Sequence, residues 1–567
     1  MNVALLTLGM LALLAIGYRF YGRFIESRCT PPDPDRETPA CALRDGVDFE
    51  PAPPVMLFGH HFTNISGAGP IVGPIIAVTY FGWAAALGWI LIGSIFIGAV
   101  HDYLSLMMSA RHDGCSVSEI AGRLVGKRAS LVFAAFLWLT MVLIIAMFGI
   151  LAAKTLVNTP SVVIPNLGLL PVAAIMGLLV YKRNVPLWQA SVFGFVCMIA
   201  LLWLGELYPL PLPSFLGDPF TFWFLACMVY CLAASVLPIW FLETPRDYLS
   251  SMIAYAGIAL GFVALFIAAP TVHAPAHVAL TSSSQGPIWP MLFILIACGA
   301  VSGFHCVVAG GTTVKQLGSE TQARRIGFGS MILEAALAVQ VVFLVVGALY
   351  WVGNMTGADG KSLVLPVLME DKGGAAAVFI RAFGQMVSQA FPAVGFSTAV
   401  LFGAIILNAT LLDTLDTCTR LGRFVLQEAA AHKIGALKNR WISGIVTIIP
   451  ACYLGLTGAG ETIWPVFGAS NQLIAALALL VISIYLVGIR RPSVYSFVPG
   501  VFMLVTTLAA LLYQCYGFFL GPKPSLMLGV ICLLLVVLGV YVAIEVLPRG
   551  LAKKSDAEAD VAEAVGE

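Results

Sequence analysis

Charge is what this sequence has least of. Only 10% of its 567 residues are Asp, Glu, Lys or Arg, against 60% hydrophobic residues. A soluble chain of this length has roughly a quarter of its residues charged, so a polytopic membrane protein is predicted. Basic and acidic residues nearly cancel, 30 Lys and Arg against 29 Asp and Glu, which leaves no basic field for a nucleic acid. The twelve cysteines form no CxxC pair and no zinc-like spacing with histidine, so neither a metal nor a cofactor is expected. Cys197, Cys227, Cys298 and Cys532 lie inside apolar runs, where a thiol serves as a small packing residue. No GxxxxGK[ST] motif is present, so nothing points to direct ATP drive. The first apolar run has no basic residues before it and no small-residue cleavage site after it; it reads as a span and not as a removable signal.

What the chain does have is long apolar runs. They fall at 2–19, 55–80, 83–110, 129–157, 165–181, 186–206, 219–242, 249–269, 288–312, 329–352, 394–413, 441–456, 462–487, 495–517 and 526–547. The fold class is therefore an all-α polytopic membrane protein of about fifteen crossings, fourteen to sixteen with the uncertainty of run ends. Segment 376–391 is short and carries Arg381, so it reads as a re-entrant or interfacial piece. With the N-terminus outside, 25 of the 30 basic residues fall in loops that face the cytoplasm; Lys154, Lys361, Lys372, Arg381 and Lys523 do not. This bias sets the orientation, N-terminus outside and C-terminus cytoplasmic. Residues 1–550 read as one transmembrane domain with its core at 55–475, and 551–567, rich in Ala, Asp and Glu, as a disordered cytoplasmic tail. The loop 29–54, rich in Pro and acidic residues, reads as an extended cytoplasmic connection in which Cys29 and Cys41 stay reduced.

Within the second run the stretch FGHHFTNISGAGPIVGP, residues 58–74, is unlike an ordinary span. Pro70 and Pro74 lack the N–H that a continuous helix uses. Backbone broken inside a bilayer is tolerated only where protein buries it or where it lines a wet cavity. Gly/Pro-interrupted spans are a pointer to a transporter's binding site; the alternative is a kinked helix with small residues at a packing contact. The ninth run contains a second such stretch, ACGAVSGFHCVVAGGTTVK, at 297–315. Seven crossings separate the two, an odd offset, so the second enters from the opposite side. Two discontinuous helices in opposite orientation are the mark of an inverted repeat.

A family resemblance rests on FGHHF…GAGPIVGP, GAVHDYLSLMMSARHDGCS, VLPIWFLETPRDYLS, ACGAVSGFH…GTT, LDTCTRLGRF and WPVFGASNQL. These resemble, in order and over most of the chain, the CstA family, the carbon starvation protein A group of peptide and pyruvate transporters. The resemblance implies a bacterial inner-membrane secondary carrier related to the broken-helix amino-acid transporters, taking up peptides or, by proton symport, pyruvate. Against the family pattern, Asn64 replaces a small apolar residue of some members, and Glu243 stands where an uncharged residue is common.

Glycine-rich breaks leave half-helix N-termini in the membrane, and their free N–H groups attract anions. Ser66, Gly67, Ala68, Gly69 and Asn64, with Ser302, Gly303 and His305, are therefore candidates to hold a substrate carboxylate. Close packing is the competing role of the same glycines. His60 and His61 lie about 100° apart on a helix, so the two cannot both face one ligand. Ionisable groups inside spans are functional hypotheses by default. Glu334, in the tenth span, is the first candidate for proton coupling, with sodium as the alternative ion. Asp102 is expected to face His60 or His61, or to pair with Arg111 or Arg246. Arg246, Asp247 and Asp416 are candidate gating charges, with topology anchors as the plainer reading. Asn471 and Gln472 read as bridges between helices. The leading function is a secondary carrier in the lipid bilayer and not an enzyme. The alternatives are a passive channel or a membrane-embedded enzyme. The charge bias makes a direct forecast: a reporter active only in the cytoplasm, fused at the C-terminus, is active, and a periplasm-dependent one is silent. The reverse pattern would overturn the orientation.

Overall fold

A computed structural model describes residues 2–565 except 213–216, 358–359, 361, 371–372, 431–433, 458–459 and 522–523; side chains at 460–462 and 549–565 are also outside it. Lys361, Lys372, Lys433 and Lys523 of the charge count thus lie outside the described residues. The described chain is helical almost throughout, because hydrocarbon leaves backbone amides no water to bond. Among the described residues, thirteen helices, from Val3–Cys29 to Leu526–Pro548, are long and apolar enough to cross a membrane. The shorter apolar helix Arg440–Leu456 and the interrupted segment 288–316 correspond to the other two of the fifteen runs. The last helix continues to Val565, through the backbone of the segment read as a tail.

Burial sorts the helices into a core and a rim. In their apolar 18-residue stretches Pro54–Phe81, Glu320–Ala348, Phe396–Ala430 and Ile463–Gly488 are more than four-fifths buried, whereas those of Val3–Cys29 and Leu187–Leu207 are only 22% buried. The rim exposes Leu5, Phe20, Trp188, Trp203, Val229 and Ile544, apolar side chains suited to lipid.

Both interrupted spans are broken where the glycines and prolines fall. The first is Pro54–Ile65, a turn at 66–68, then Gly69–Phe81. The second is Ile288–Leu295, an irregular stretch at 296–303, then Phe304–Val308 and a π turn at Ala309–Thr313. The pair is antiparallel. Val278 N–H, ahead of the second span, donates to Phe81 O at the end of the first (3.2 Å). At the other end Glu50 and Ala52, ahead of the first span, donate to Lys315 O and Gln316 O (3.1 Å each). The same two contacts sort the chain ends. Val3 and the residues after Ala268 meet near Pro270, on the side of Phe81. Asp48 gathers Arg420, Arg423 and Arg440 on the other side.

The glycines let these backbones touch. A Cβ on Gly73 would strike the Leu295 carbonyl, and one on Gly69 would strike Cys298. Segment Gly374–Ala390 has 17 residues, about 25 Å of helix against a 30 Å hydrocarbon core. It follows Leu365, which bonds Tyr350 on the Phe81 side, and precedes Phe396–Ala430, which runs from there to Arg420 and Arg423. Its two ends therefore share a side, and it packs along the bundle without crossing. Gly73→Leu is expected to destabilise by about 1–3 kcal/mol through overpacking, whereas Gly9→Leu, with nothing within 4 Å, leaves the melting temperature in detergent unchanged.

Candidate substrate and coupling site

Asp413, Asp416 and Arg420 are spaced three and four residues apart on the helix Phe396–Ala430, which puts them on one face. That face meets the start of Glu243–Ala268. Arg246 pairs with Asp413 (Nη2 to Oδ1, 2.6 Å) and with Asp416, and it donates to the Tyr230 hydroxyl, which donates to Asp416. Ser250 Oγ donates to Asp413 (3.1 Å). Asp247 accepts from Asn64 Nδ2 (2.8 Å) and lies 2.6 Å from His60 Nδ1. All are buried. Two carboxylates thus pair with one guanidinium, and the third, Asp247, is met by His60 and Asn64 among the described residues. Arg420 pairs separately with Glu243 and Asp48, and donates to Ala234 O and Leu237 O (2.8 Å each). Asp48 lies outside the spans. Burial raises its pKa, but Arg420, Arg423, Lys315 and Arg440 outweigh that and hold it below the usual carboxylate range. Its contribution is therefore complete above that range and is lost as pH falls through the folded value.

A second cluster lies between the broken ninth span and the third and tenth. Asp102 receives His101 Nδ1 (2.9 Å) on one oxygen and His305 Nδ1 (2.8 Å) on the other. His305 Nε2 then faces Glu334 Oε2 at 3.4 Å. Every member is fully buried, and no Lys or Arg pairs with Asp102 or Glu334 among the described residues. The ligand atoms of Cys298, His305 and Glu334 lie within 4.8 Å of one another, close enough to share a cation. Two carboxylates without a cation in a dry site can hold protons or a metal ion.

The breaks are held by neighbouring side chains. Asn471 O accepts the Gly303 N–H (3.1 Å), and its Oδ1 accepts the Phe304 N–H (2.7 Å). Asn471 Nδ2 reaches Ser302 Oγ (2.9 Å), Trp89 Nε1 donates to Ile296 O (3.2 Å), and Gln472 Nε2 donates to Phe293 O (2.6 Å). In the first break Thr414 Oγ1 donates to Asn64 O (3.0 Å). Ser66 N–H donates to Phe62 O (2.9 Å), so the amides of Ser66 and Gly303 are already occupied and cannot also hold an anion in this conformation. The amides of Gly67, Ala68 and Gly69, and that of Ser302, make no hydrogen bond among the described residues. Nor does the Ser66 hydroxyl.

Other candidates land differently. Asp102 faces neither His60 nor His61, and pairs with neither Arg111 nor Arg246, because its helix presents it to His305; Arg111 pairs with Glu320 instead (2.9 Å). His60 and His61 point apart, His61 Nδ1 meeting Thr313 Oγ1 at 2.8 Å. Asp416 meets Arg246 of another helix and not the arginines that follow it in sequence. Sequence reasoning missed His101, Tyr230 and the Cys298 thiol as partners of these groups. Only Cys298 carried a signal, its place within the second break.

On the Phe81 side two cavities, of about 460 and 160 Å³, share Leu151, Lys154, Gly373 and Ala376. The smaller reaches Val72 of the first broken span and Trp464. Beyond Trp464, a gap lined by Gly69, Cys298 and Phe467 has no room for water. Phe467 packs edge-on against Trp464 and Phe148, with ring centres 5.4 and 5.7 Å apart. An aromatic plug thus separates the cavities from the breaks.

Antiparallel broken spans, buried charge clusters and a plugged vestibule define a polytopic membrane transporter. Comparison with known proteins places it further. The description "Carbon starvation protein CstA" matches residues 2–510, and the chain belongs to that family. It is 32% identical over 570 residues to the peptide transporter CstA of Campylobacter jejuni, covering 89% of this chain and 79% of that one. It is 30% identical over 576 residues to the pyruvate/proton symporter BtsT of Escherichia coli, covering 88% and 79%. A solved manganese transporter of Eremococcus coleocola aligns at a TM-score of 0.44 and 15% identity, over 90% of this chain and 99% of that one, a likeness too distant to assign function.

Removing one partner of a buried ion pair costs about 3–5 kcal/mol, because the other charge is left uncompensated. Arg246→Gln is expected to lose that much in thermal unfolding. The double variant Arg246→Gln/Asp416→Asn recovers part of it, and strictly additive losses would deny the coupling.

Proposed function

We propose that this chain is a secondary carrier that imports pyruvate or a short peptide across the bacterial inner membrane by proton symport. The observation that carries this reading is the crossing of two antiparallel broken spans between two buried, carboxylate-rich clusters. The names of the relatives support the substrate classes. Free amides at Gly67, Ala68 and Gly69, with the Ser66 hydroxyl, suit the carboxylate that pyruvate and peptides share. Asn64 links that break to Asp247 and hence to Arg246, so a substrate at the break acts directly on the charge network. Ser302 and His305 bring the second break to the same region.

Each cluster has its own part in this scheme. Arg246, Asp247, Asp413 and Asp416, with His60, form the cytoplasmic gate, which opens by exchanging ion pairs. Phe148, Trp464 and Phe467 close the outer side. Asp102, His305 and Glu334 carry the coupling proton, and His61 is positioned by Thr313. The orientation is N-terminus outside and C-terminus cytoplasmic, as the basic residues indicate.

Uptake into proteoliposomes tests the scheme, with proton and sodium gradients imposed separately, labelled pyruvate as substrate and dipeptides as competitors. Accumulation is expected with inward protons alone. Glu334→Gln is expected to abolish accumulation against a gradient, by tenfold or more, while counterflow exchange persists. Unchanged accumulation in Glu334→Gln would remove Glu334 from coupling. Equilibration without accumulation in the wild type would make the protein a channel.

A further inference from the structure

Cys298 lies in the second break, where it was read as a packing residue, yet its thiol faces His305 and Glu334. We propose that Cys298, His305 and Glu334 form a binding site for a first-row transition-metal dication of the zinc type, and that the metal competes there with the coupling proton. Four observations carry this.

First, the donor set is chemically apt. A thiolate, an imidazole and a carboxylate are the three ligand types that zinc takes, with bonds of roughly 2.0–2.3 Å. Second, the donors are available. His305 Nε2 and both Glu334 oxygens are buried and make no hydrogen bond of good geometry among the described residues, although Nε2 lies 3.4 Å from Oε2 and the Ile65 backbone lies beside His305. The Cys298 sulfur has only long contacts, 3.7 Å to Ser302 Oγ and 3.7 Å to Asn471 Nδ2. Third, the histidine is already oriented. Asp102 Oδ2 holds its Nδ1 at 2.8 Å, which turns Nε2 towards the site, the carboxylate–histidine arrangement that supports metal ligands. Fourth, the charge fits. Among the described residues, Asp102 and Glu334 are buried with histidines and a thiol and no paired Lys or Arg, so a dication balances what protons otherwise must.

The donors now lie up to 4.8 Å apart. Bonds of zinc length bring them to roughly 3.5 Å, a contraction of about 1 Å. Cys298 is placed for that movement, since it sits in irregular backbone and not in a helix. As the metal–sulfur bond forms, the thiol proton leaves to solvent. Cys298 also lines the narrow gap beside Trp464 and Phe467, which puts the site next to the plug that leads to the outer cavities.

The test uses purified full-length protein, stripped with chelator and titrated with Co²⁺ as a visible probe, then with Zn²⁺ as competitor. One Co²⁺ per chain is expected, with a sulfur-to-cobalt charge-transfer band that Zn²⁺ bleaches. Cys298→Ser is expected to abolish that band. Glu334→Gln and His305→Gln are expected to weaken binding at least tenfold, and Cys227→Ser, in a distant helix, to change nothing. Absence of the band in the wild type, or its survival in Cys298→Ser, overturns the site. A flux arm rests on the transport reading: micromolar Zn²⁺ inhibits proton-driven uptake, and Cys298→Ser raises the half-inhibiting concentration at least tenfold. Equal inhibition of both proteins overturns the competition. The binding arm needs no flux, so a protein that binds cobalt through Cys298 but accumulates nothing would sink the carrier reading and leave the metal site standing.

Discussion

Unsatisfied backbone in a medium without water is the constraint on which this structure depends. Each break exposes amides and carbonyls that hydrocarbon cannot solvate, so each must be met by protein. Asn471, Gln472, Trp89 and Thr414 do this from three different spans. The arrangement explains why the broken spans lie at the centre, and why the glycines that break them are also those that let the two backbones touch. Close packing and open amides therefore coexist here. Gly69 and Gly73 bring the second span close, and that closeness leaves the amides at 67–69 facing the interior and not lipid.

Buried charge follows the same logic with a larger penalty. An isolated ion in the core costs several kcal/mol, so the carboxylates are gathered around Arg246 and Arg420 or around histidines. Neither grouping is balanced. Two carboxylates share Arg246, and among the described residues Asp102 and Glu334 form ion pairs with histidines alone. Imbalance of this kind destabilises a static protein and suits one that takes up and releases ions. The first break links to one group through Asn64 and the second to the other through His305, so each break reaches a buried charge cluster through a single side chain.

The surroundings divide the labour. Tight pairing around Asp48, Glu243 and Arg420 closes one end by electrostatics. The other end is closed by the rings of Phe148, Trp464 and Phe467, behind cavities that share Lys154. A gate of ion pairs responds to protonation, whereas a gate of rings responds to packing, and a carrier needs the two to move out of phase.

The residues alone determined the membrane class, the number of apolar runs, the two breaks and their opposite orientation. Each of these follows from composition or local backbone chemistry: apolar length, missing amide hydrogens at Pro70 and Pro74, and the parity of crossings. The divergence of His60 and His61 was legible for the same reason, since helical geometry is local. Partnership was not. Asp102 meeting His305, Asp416 meeting Arg246, and Cys298 joining His305 and Glu334 join residues up to 203 positions apart. Only the tertiary structure decided them, because an apolar helix looks alike on every side until its neighbours show which face is buried against a charge.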